Sequence, residues 1–285
     1  MSLHEAHTTH ILGSNGFIGS NLVQFLSCKG FRVIEHRSLE SFELWVQKTS
    51  LEESAKATVV WAVGKVSPFI AENFPDLVRE ELLTFQRYLA INGAELMPLV
   101  FLSSGGCTYS SDSNLNATEE TLSLGVNEYG RTKLALEKML LQSGFRGTIL
   151  RLGNVYGKSA LPRKGQGVIA HWLASLKNSQ PITMYGSGES QRDYIYIEDI
   201  CNAIYKCFDI PHTGEVFNIG TGIGTTLIQL LNLMENFLQI EAKILWESGR
   251  PEDNFSYYLN ASKFSSIAGW KANTPLQAGL AKMLF

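Results

Sequence analysis

The chain has 285 residues, a formal charge of −3 at neutral pH and 45% hydrophobic residues, enough length to bury roughly 75% of its unfolded surface in one large or two modest domains. Charge and composition leave no footprint for nucleic acid or an anionic membrane surface, and no apolar run approaches the ~18 residues of a transmembrane helix. The N-terminus lacks the basic and apolar regions of a signal peptide, and Cys28, Cys107, Cys201 and Cys207 show no paired spacing, which suits reduced thiols in a cytoplasm.

In chain order, His4, His7 and His10 recur every three residues and read as a frayed start rather than a metal site; no metal is expected. Ile11 and Leu12 then begin a short apolar strand that runs into Gly13-Ser-Asn-Gly-Phe-Ile-Gly19 and a helix with Ile18, Leu22, Phe25 and Leu26 on one face. Lys29 and Gly30 close that helix with a cation and a C-terminal glycine. Strand, glycine turn and helix are the context of a pyrophosphate cradle, because backbone approaches the anion where side chains are absent and the helix N-terminus carries positive potential.

Further β candidates fall at 31–35, 57–63, 98–102 and 147–152. Continuous apolar strands separated by helices imply a parallel sheet covered on both faces. Segment 74–92 reads as a long helix offering Leu77, Leu82, Phe85 and Leu89 to a core. Tyr129 and Lys133, four residues apart, share one helix face. Past 157 the chain breaks into Gly- and Pro-punctuated pieces: a basic loop at 158–168, the alternating Tyr194 to Ile197, helical spacing through Ile200, Ile204 and Phe208, and a strand-like 215–219.

With those motifs in place, the chain resembles the extended short-chain dehydrogenase/reductase family, in its NAD-dependent nucleotide-sugar epimerase/dehydratase branch. Further landmarks occur in order: Leu150-Arg-Leu-Gly-Asn154-Val-Tyr-Gly157, Gly165-Gln-Gly-Val-Ile169, Tyr185-Gly-Ser-Gly188, Arg192 to Asp199, Phe217-Asn-Ile-Gly-Thr-Gly222, Gly249-Arg-Pro-Glu-Asp253 and Gly269-Trp270. The resemblance implies an α/β fold with a Rossmann-type doubly wound parallel sheet. The nucleotide-binding domain would cover 1–160 and a smaller C-terminal α/β substrate-binding lobe 161–285, interleaved around 153–220.

The same resemblance implies that Gly13, Asn15, Gly16, Phe17, Ile18, Gly19 and Ala62 hold NAD(P), together with Tyr129 and Lys133 as the catalytic pair. Free tyrosine titrates near pH ~10, and a cation at about 4 Å is worth on the order of 4 kcal/mol at an effective dielectric near 20. Lys133 is therefore expected to supply most of the shift that makes Tyr129 a base. Where relatives that prefer NAD carry an acidic residue after the second strand, this chain has Arg37. Arg37 tilts the cofactor towards NADP, since a guanidinium pairs bidentately with a 2′-phosphate; the alternative is a solvated arginine with Glu35 on the ribose.

The family's third catalytic group, a serine or threonine four residues before Tyr109, is replaced by Gly105. Ser104 and Cys107 remain as candidates, the latter matching in place the acid/base cysteine of epimerase-reductases. The dehydratase signature Thr-Asp-Glu is absent here, so 4,6-dehydration is not expected. On the substrate side the resemblance assigns Asn154, Arg192, Arg250 and Asp253 to the diphosphate and base of a UDP-sugar, and leaves Asp193 and Asp199 structural. The expected activity resembles that of the UDP-glucose 4-epimerases, by transient oxidation at sugar C4. The alternatives are a reductase of a nucleotide-linked keto-sugar and a non-catalytic NAD(P)-sensing protein. A homodimer through helices around 74–92 and 127–142 is implied as well.

Overall fold

In the computed structural model, residues 8–91, 93–110, 116–161, 167–249 and 256–284 are described. The chain enters as β1 (Thr8–Leu12), turns into α1 (Phe17–Cys28), and returns as β2 (Arg32–His36). Next come α2 (Leu39–Lys48), α3 (Leu51–Ser54), β3 (Ala57–Trp61), α4 (Pro68–Asn73) and α5 (Pro75–Leu89). Strand β4 (Leu99–Ser104) leads through the short β5 (Asn116–Ala117) to α6 (Glu128–Gln142) and β6 (Gly147–Leu152). Strands β1, β2, β3, β4 and β6, with a later one reached below, form a six-stranded sheet in which all neighbours are parallel.

Alternation along each strand decides which face its side chains serve. Ile11, Val60, Val100 and Leu150 enter the core under α1, with Leu22 and Leu26. Their strand neighbours Leu12, Val59, Trp61, Phe101 and Ile149 enter a second core with Phe85 and Tyr88 of α5 and Leu136 and Leu140 of α6. Burial on both faces explains why these strands read as unbroken apolar runs.

Two expectations need correcting. His10 is not part of a frayed start: it sits fully buried in β1, against His36, Phe42 and Trp45, while His4 and His7 lie outside the described residues. Leu77 is 39% exposed: it lies in the first turn of α5, and the residues of that helix that reach the core, Glu81, Phe85 and Tyr88, all come later.

The rest of the chain folds as β7 (Asn154–Tyr156), α7 (Val168–Lys177), β8 (Ile182–Tyr185), β9 (Gln191–Tyr196) and α8 (Ile197–Cys207). There follow β10 (Glu215–Ile219), β11 (Gly224–Thr226), α9 (Leu227–Leu238), β12 (Ile244–Glu247), β13 (Tyr258–Leu259), α10 (Ser262–Ala268) and α11 (Leu276–Leu284). Strand β10 returns to the large sheet, giving the order β10-β6-β4-β3-β1-β2; the others make the small sheets β11-β9-β7, β12-β8 and β13-β5.

Asp193, fully buried on β9, fastens this region. Its carboxylate accepts from the Thr221 N–H and hydroxyl, the Gly222 N–H and the Leu259 N–H. Burial pushes its pKa up, and those same donors pull against the shift. Asp199, in the first turn of α8, accepts from the Asn273 and Thr274 N–H groups. Both acids hold the fold, as the sequence implies. No helix among the described residues is long and apolar enough to cross a membrane.

Candidate active site

A cleft of about 2030 Å³ runs from the first glycine turn across the ends of β1, β3, β4 and β6 to β7, β9 and α7, the position where ligands bind in open parallel sheets. At one end the chain leaves β1 through Gly13, whose φ is +84° and whose Cβ, were there one, would lie 2.7 Å from the Ala62 carbonyl oxygen. A side chain at Gly19 would overlap the Gly13 carbonyl, so α1 can come down this close only without one. The α1 N-cap, Gly16, makes no side-chain capping bond, and the first turn holds no acid. Amide groups at that terminus remain for an anion.

Arg37, exposed at the end of β2, lines the same end of the cleft, beside Ser38, whose hydroxyl caps α2. The neighbouring Arg87 is tied to Glu40 and Glu43; Arg37 has no ion pair among the described residues. Glu35 is exposed and does not border the cleft.

At the middle of the cleft stands Tyr129, one residue into α6, whose N-cap Asn127 accepts the Gly130 N–H at 2.9 Å. Lys133 lies one turn on, its Nζ 5.5 Å from the centre of the Tyr129 ring. The spacing delivers the pair as expected, yet Lys133 does not stand free. Its Nζ is 2.9 Å from Glu81 Oε1 on α5. Burial alone would lower the Lys133 pKa, but Glu81 and Tyr129 outweigh it and hold it above the ordinary value. Tyr129 is also pushed up, first by burial and then by Cys107 and Glu81, with Lys133 and a hydrogen bond from Ser104 opposing. In the ligand-free protein burial outweighs Lys133 at Tyr129, and Glu81 opposes the lysine.

Ser104 ends β4, borders the cleft and faces Tyr129. Cys107 is set back from the cleft lining, where its Sγ accepts a long bond from Asn127 Nδ2 at 3.7 Å. Gly105 has Leu259 against it.

At the far end, Asn154 opens β7 and Arg192 lies on β9. Tyr257 joins them: its hydroxyl donates to Asn154 Oδ1 at 2.9 Å, and the Arg192 guanidinium carbon stands 5.3 Å from its ring centre, a cation–π distance. A side chain at Gly106 would overlap the Tyr257 hydroxyl. Arg250 and Asp253 lie outside the described residues.

The cleft therefore gathers Gly13, Asn15, Gly16, Phe17, Ile18, Arg37, Ala62, Ser104, Tyr129, Lys133, Asn154 and Arg192. Gly19 and Cys107 stand behind its wall. Glu81 and Tyr257 are site-forming residues that the sequence reading missed. For Glu81 a signal existed, since a glutamate sits on the same helical stripe as Phe85 and Tyr88.

The NAD dependent epimerase/dehydratase family model matches residues 9–220, and the chain belongs to that family. Among curated relatives, the dTDP-4-dehydro-6-deoxyglucose reductase of Escherichia coli is 30% identical over 70% of this chain. That match covers 64% of the relative, so the chain spans under two thirds of its length. The UDP-glucose 4-epimerase of Lactobacillus helveticus is 25% identical, over 92% of this chain and 91% of its own. In fold, the chain is similar to the UDP-glucose 4-epimerase of Thermotoga maritima, solved with UDP-glucose: TM-score 0.85, 25% identity, 97% of each chain covered. The glycine cradle and the uncapped α1 terminus fit the pyrophosphate of a dinucleotide, and the cleft continues unbroken from there past Ala62 to Tyr129.

Proposed function

We propose that the protein is a nucleotide-sugar epimerase of the UDP-glucose 4-epimerase kind, acting at sugar C4. The observation that carries this reading is the placement of Tyr129 and Lys133 between a dinucleotide cradle at one end of the cleft and the Asn154–Tyr257–Arg192 group at the other. When bound, the nicotinamide would supply reversible oxidation and reduction at the sugar carbon. Gly13, Gly16, Phe17 and Ile18 would hold its pyrophosphate and Arg37 the adenosine end, with NADP favoured.

The residues do the rest. Tyr129 takes the proton from the sugar 4-hydroxyl and later returns it, with Ser104 as its hydrogen-bonding neighbour. Lys133 holds the phenol's charge when it ionises. Arg192, with Arg250, grips the diphosphate, because guanidinium forks bind phosphate bidentately, and Asn154 adds a neutral hydrogen bond. Fixing substrate and cofactor together supplies the orientation on which such a reaction depends. A homodimer through α5 and α6 is part of the same proposal.

A reductase of a nucleotide-linked keto-sugar is the second reading, favoured by one feature: the cation Arg37, which has no ion pair among the described residues, suits an exchangeable NADP at the adenosine end. Mass spectrometry of ligands released from the purified protein separates the two. Retained oxidised cofactor, with interconversion of UDP-glucose and UDP-galactose, is the expected result. Exchangeable NADPH with net consumption would replace the first reading by the second.

A further inference from the structure

Lys133 meets Tyr129 already engaged. Its ammonium and the Glu81 carboxylate are 2.9 Å apart, with side chains 5% and 2% exposed. The second Glu81 oxygen accepts the Val66 N–H at 3.0 Å, in the stretch after β3 that lines the cleft. Glu81 is therefore pinned at two points and cannot swing away without leaving a buried ammonium and a buried amide unpaired, both costly.

The charges around the phenol can be counted. Lys133 faces it from α6, Glu81 from α5, and Ser104 and Cys107 from the end of β4 and the loop beyond. Glu137, which also faces Lys133, is spent on Arg151 at 2.7 Å. Among the described residues, one cation and one anion thus face Tyr129, Lys133 acting on it more strongly than Glu81.

We propose that Glu81 is a positioning residue that anchors Lys133 beside Tyr129 and offsets the lysine's charge there. The proposal rests on reading Tyr129 and Lys133 as the proton-handling pair, and is independent of which substrate or cofactor they serve.

Ultraviolet difference titration of the ligand-free protein, with Tyr129→Phe subtracted, isolates this one phenol. In the wild type it is expected to ionise no lower than free tyrosine, near pH ~10; ionisation below that would overturn the proposal. In Glu81→Gln, the same subtraction is expected to show an acid constant raised about tenfold or more, since the negative charge that opposes Lys133 has gone. An unchanged midpoint there would overturn it. Glu81→Asp keeps the charge and is expected to stay within roughly threefold of wild type, which a purely structural role for the glutamate side chain would not produce.

Should Glu81→Gln fail to fold, the double variant Glu81→Gln/Lys133→Met leaves no lone buried charge. Its phenol is expected within roughly threefold of the wild-type acid constant. A fall of about tenfold would show that Lys133 had acted on Tyr129 unopposed, and would overturn the proposal. No substrate enters these titrations, so a failed nucleotide-sugar assay and a failed titration are separate results.

Discussion

Leu259 stands where a side chain on Gly105 would have to go: a Cβ there would meet Leu259 Cδ1 at 2.5 Å and the Leu152 carbonyl oxygen at 3.2 Å. The missing family hydroxyl is therefore not a vacancy waiting to be refilled. Gly105→Ser is expected to lower stability by about 1–3 kcal/mol through overpacking, and not to raise turnover. Adding Leu259→Ala should return much of that loss, giving a clear interaction term in a double-mutant cycle by chemical denaturation. Additive losses would show that the two positions do not share the space.

Ser104 is the hydroxyl beside Tyr129, while Cys107 is set back behind the cleft wall. Ser104→Ala is expected to reduce turnover by roughly 10²-fold, the usual scale for a positioned proton-transfer group, and Cys107→Ala to change it little. Steady-state rates decide. The reverse ranking would move the protein towards the epimerase-reductase reading.

Cofactor choice should turn on Arg37. A charge-assisted contact between its guanidinium and a 2′-phosphate would be worth about 1.5–3 kcal/mol, so Arg37→Asp is expected to move the NADP/NAD affinity ratio towards NAD by at least about tenfold. An unchanged ratio in a binding titration would leave Arg37 a solvated surface residue.

Arg192→Ala is expected to weaken UDP binding by about 1.5–3 kcal/mol, the scale of a charged hydrogen bond. The diphosphate does not react, so the loss should appear mainly in KM rather than kcat. Arg250→Ala should behave alike. Calorimetry with free nucleoside diphosphates is the measurement, and no binding to the wild type at millimolar concentration would end the nucleotide-sugar assignment.

The buried histidines give a pH signature of stability. His10 Nδ1 and His36 Nε2 are 2.8 Å apart, and burial first of all lowers His10 from 6.5 to about 3 and His36 from 6.5 to about 4. Both stay neutral in the fold while the unfolded chain takes up protons. Stability is thus full above pH ~6.5 and is lost as the pH falls towards 4 and then 3, by about 2 kcal/mol per histidine between pH 6.5 and 5. Urea midpoints at pH 7 and pH 5 should differ accordingly in the wild type, and much less in His10→Val/His36→Leu.

Local chemistry was the legible part of this chain. The Gly13 turn, the α1 helix and the Tyr129–Lys133 face each depend on residues within a few positions of one another, and all form where the spacing puts them. What the spacing could not show is who arrives from elsewhere. Glu81 reaches Lys133 across 52 residues, and Tyr257 reaches Asn154 across 103. Gly105 read as a lost hydroxyl because Leu259, its steric counterpart, lies on another strand. Leu77 was misplaced for another reason: helical spacing says which side of α5 turns inward, not where along the helix burial begins.

Strand β10 also sets a schedule for synthesis. Its five residues, Glu215–Ile219, close the outer side of β6, whose own residues are all buried. As the chain leaves the ribosome from its N-terminus, the strands from β1 to β6 are complete well before their last neighbour exists. Through that interval the Gly147–Leu152 edge presents unpaired backbone groups beside a bare apolar face, the kind of edge on which nascent chains associate. Folding yield in the cell should therefore fall when translation pauses between residues 152 and 215, although no contact of the finished protein changes.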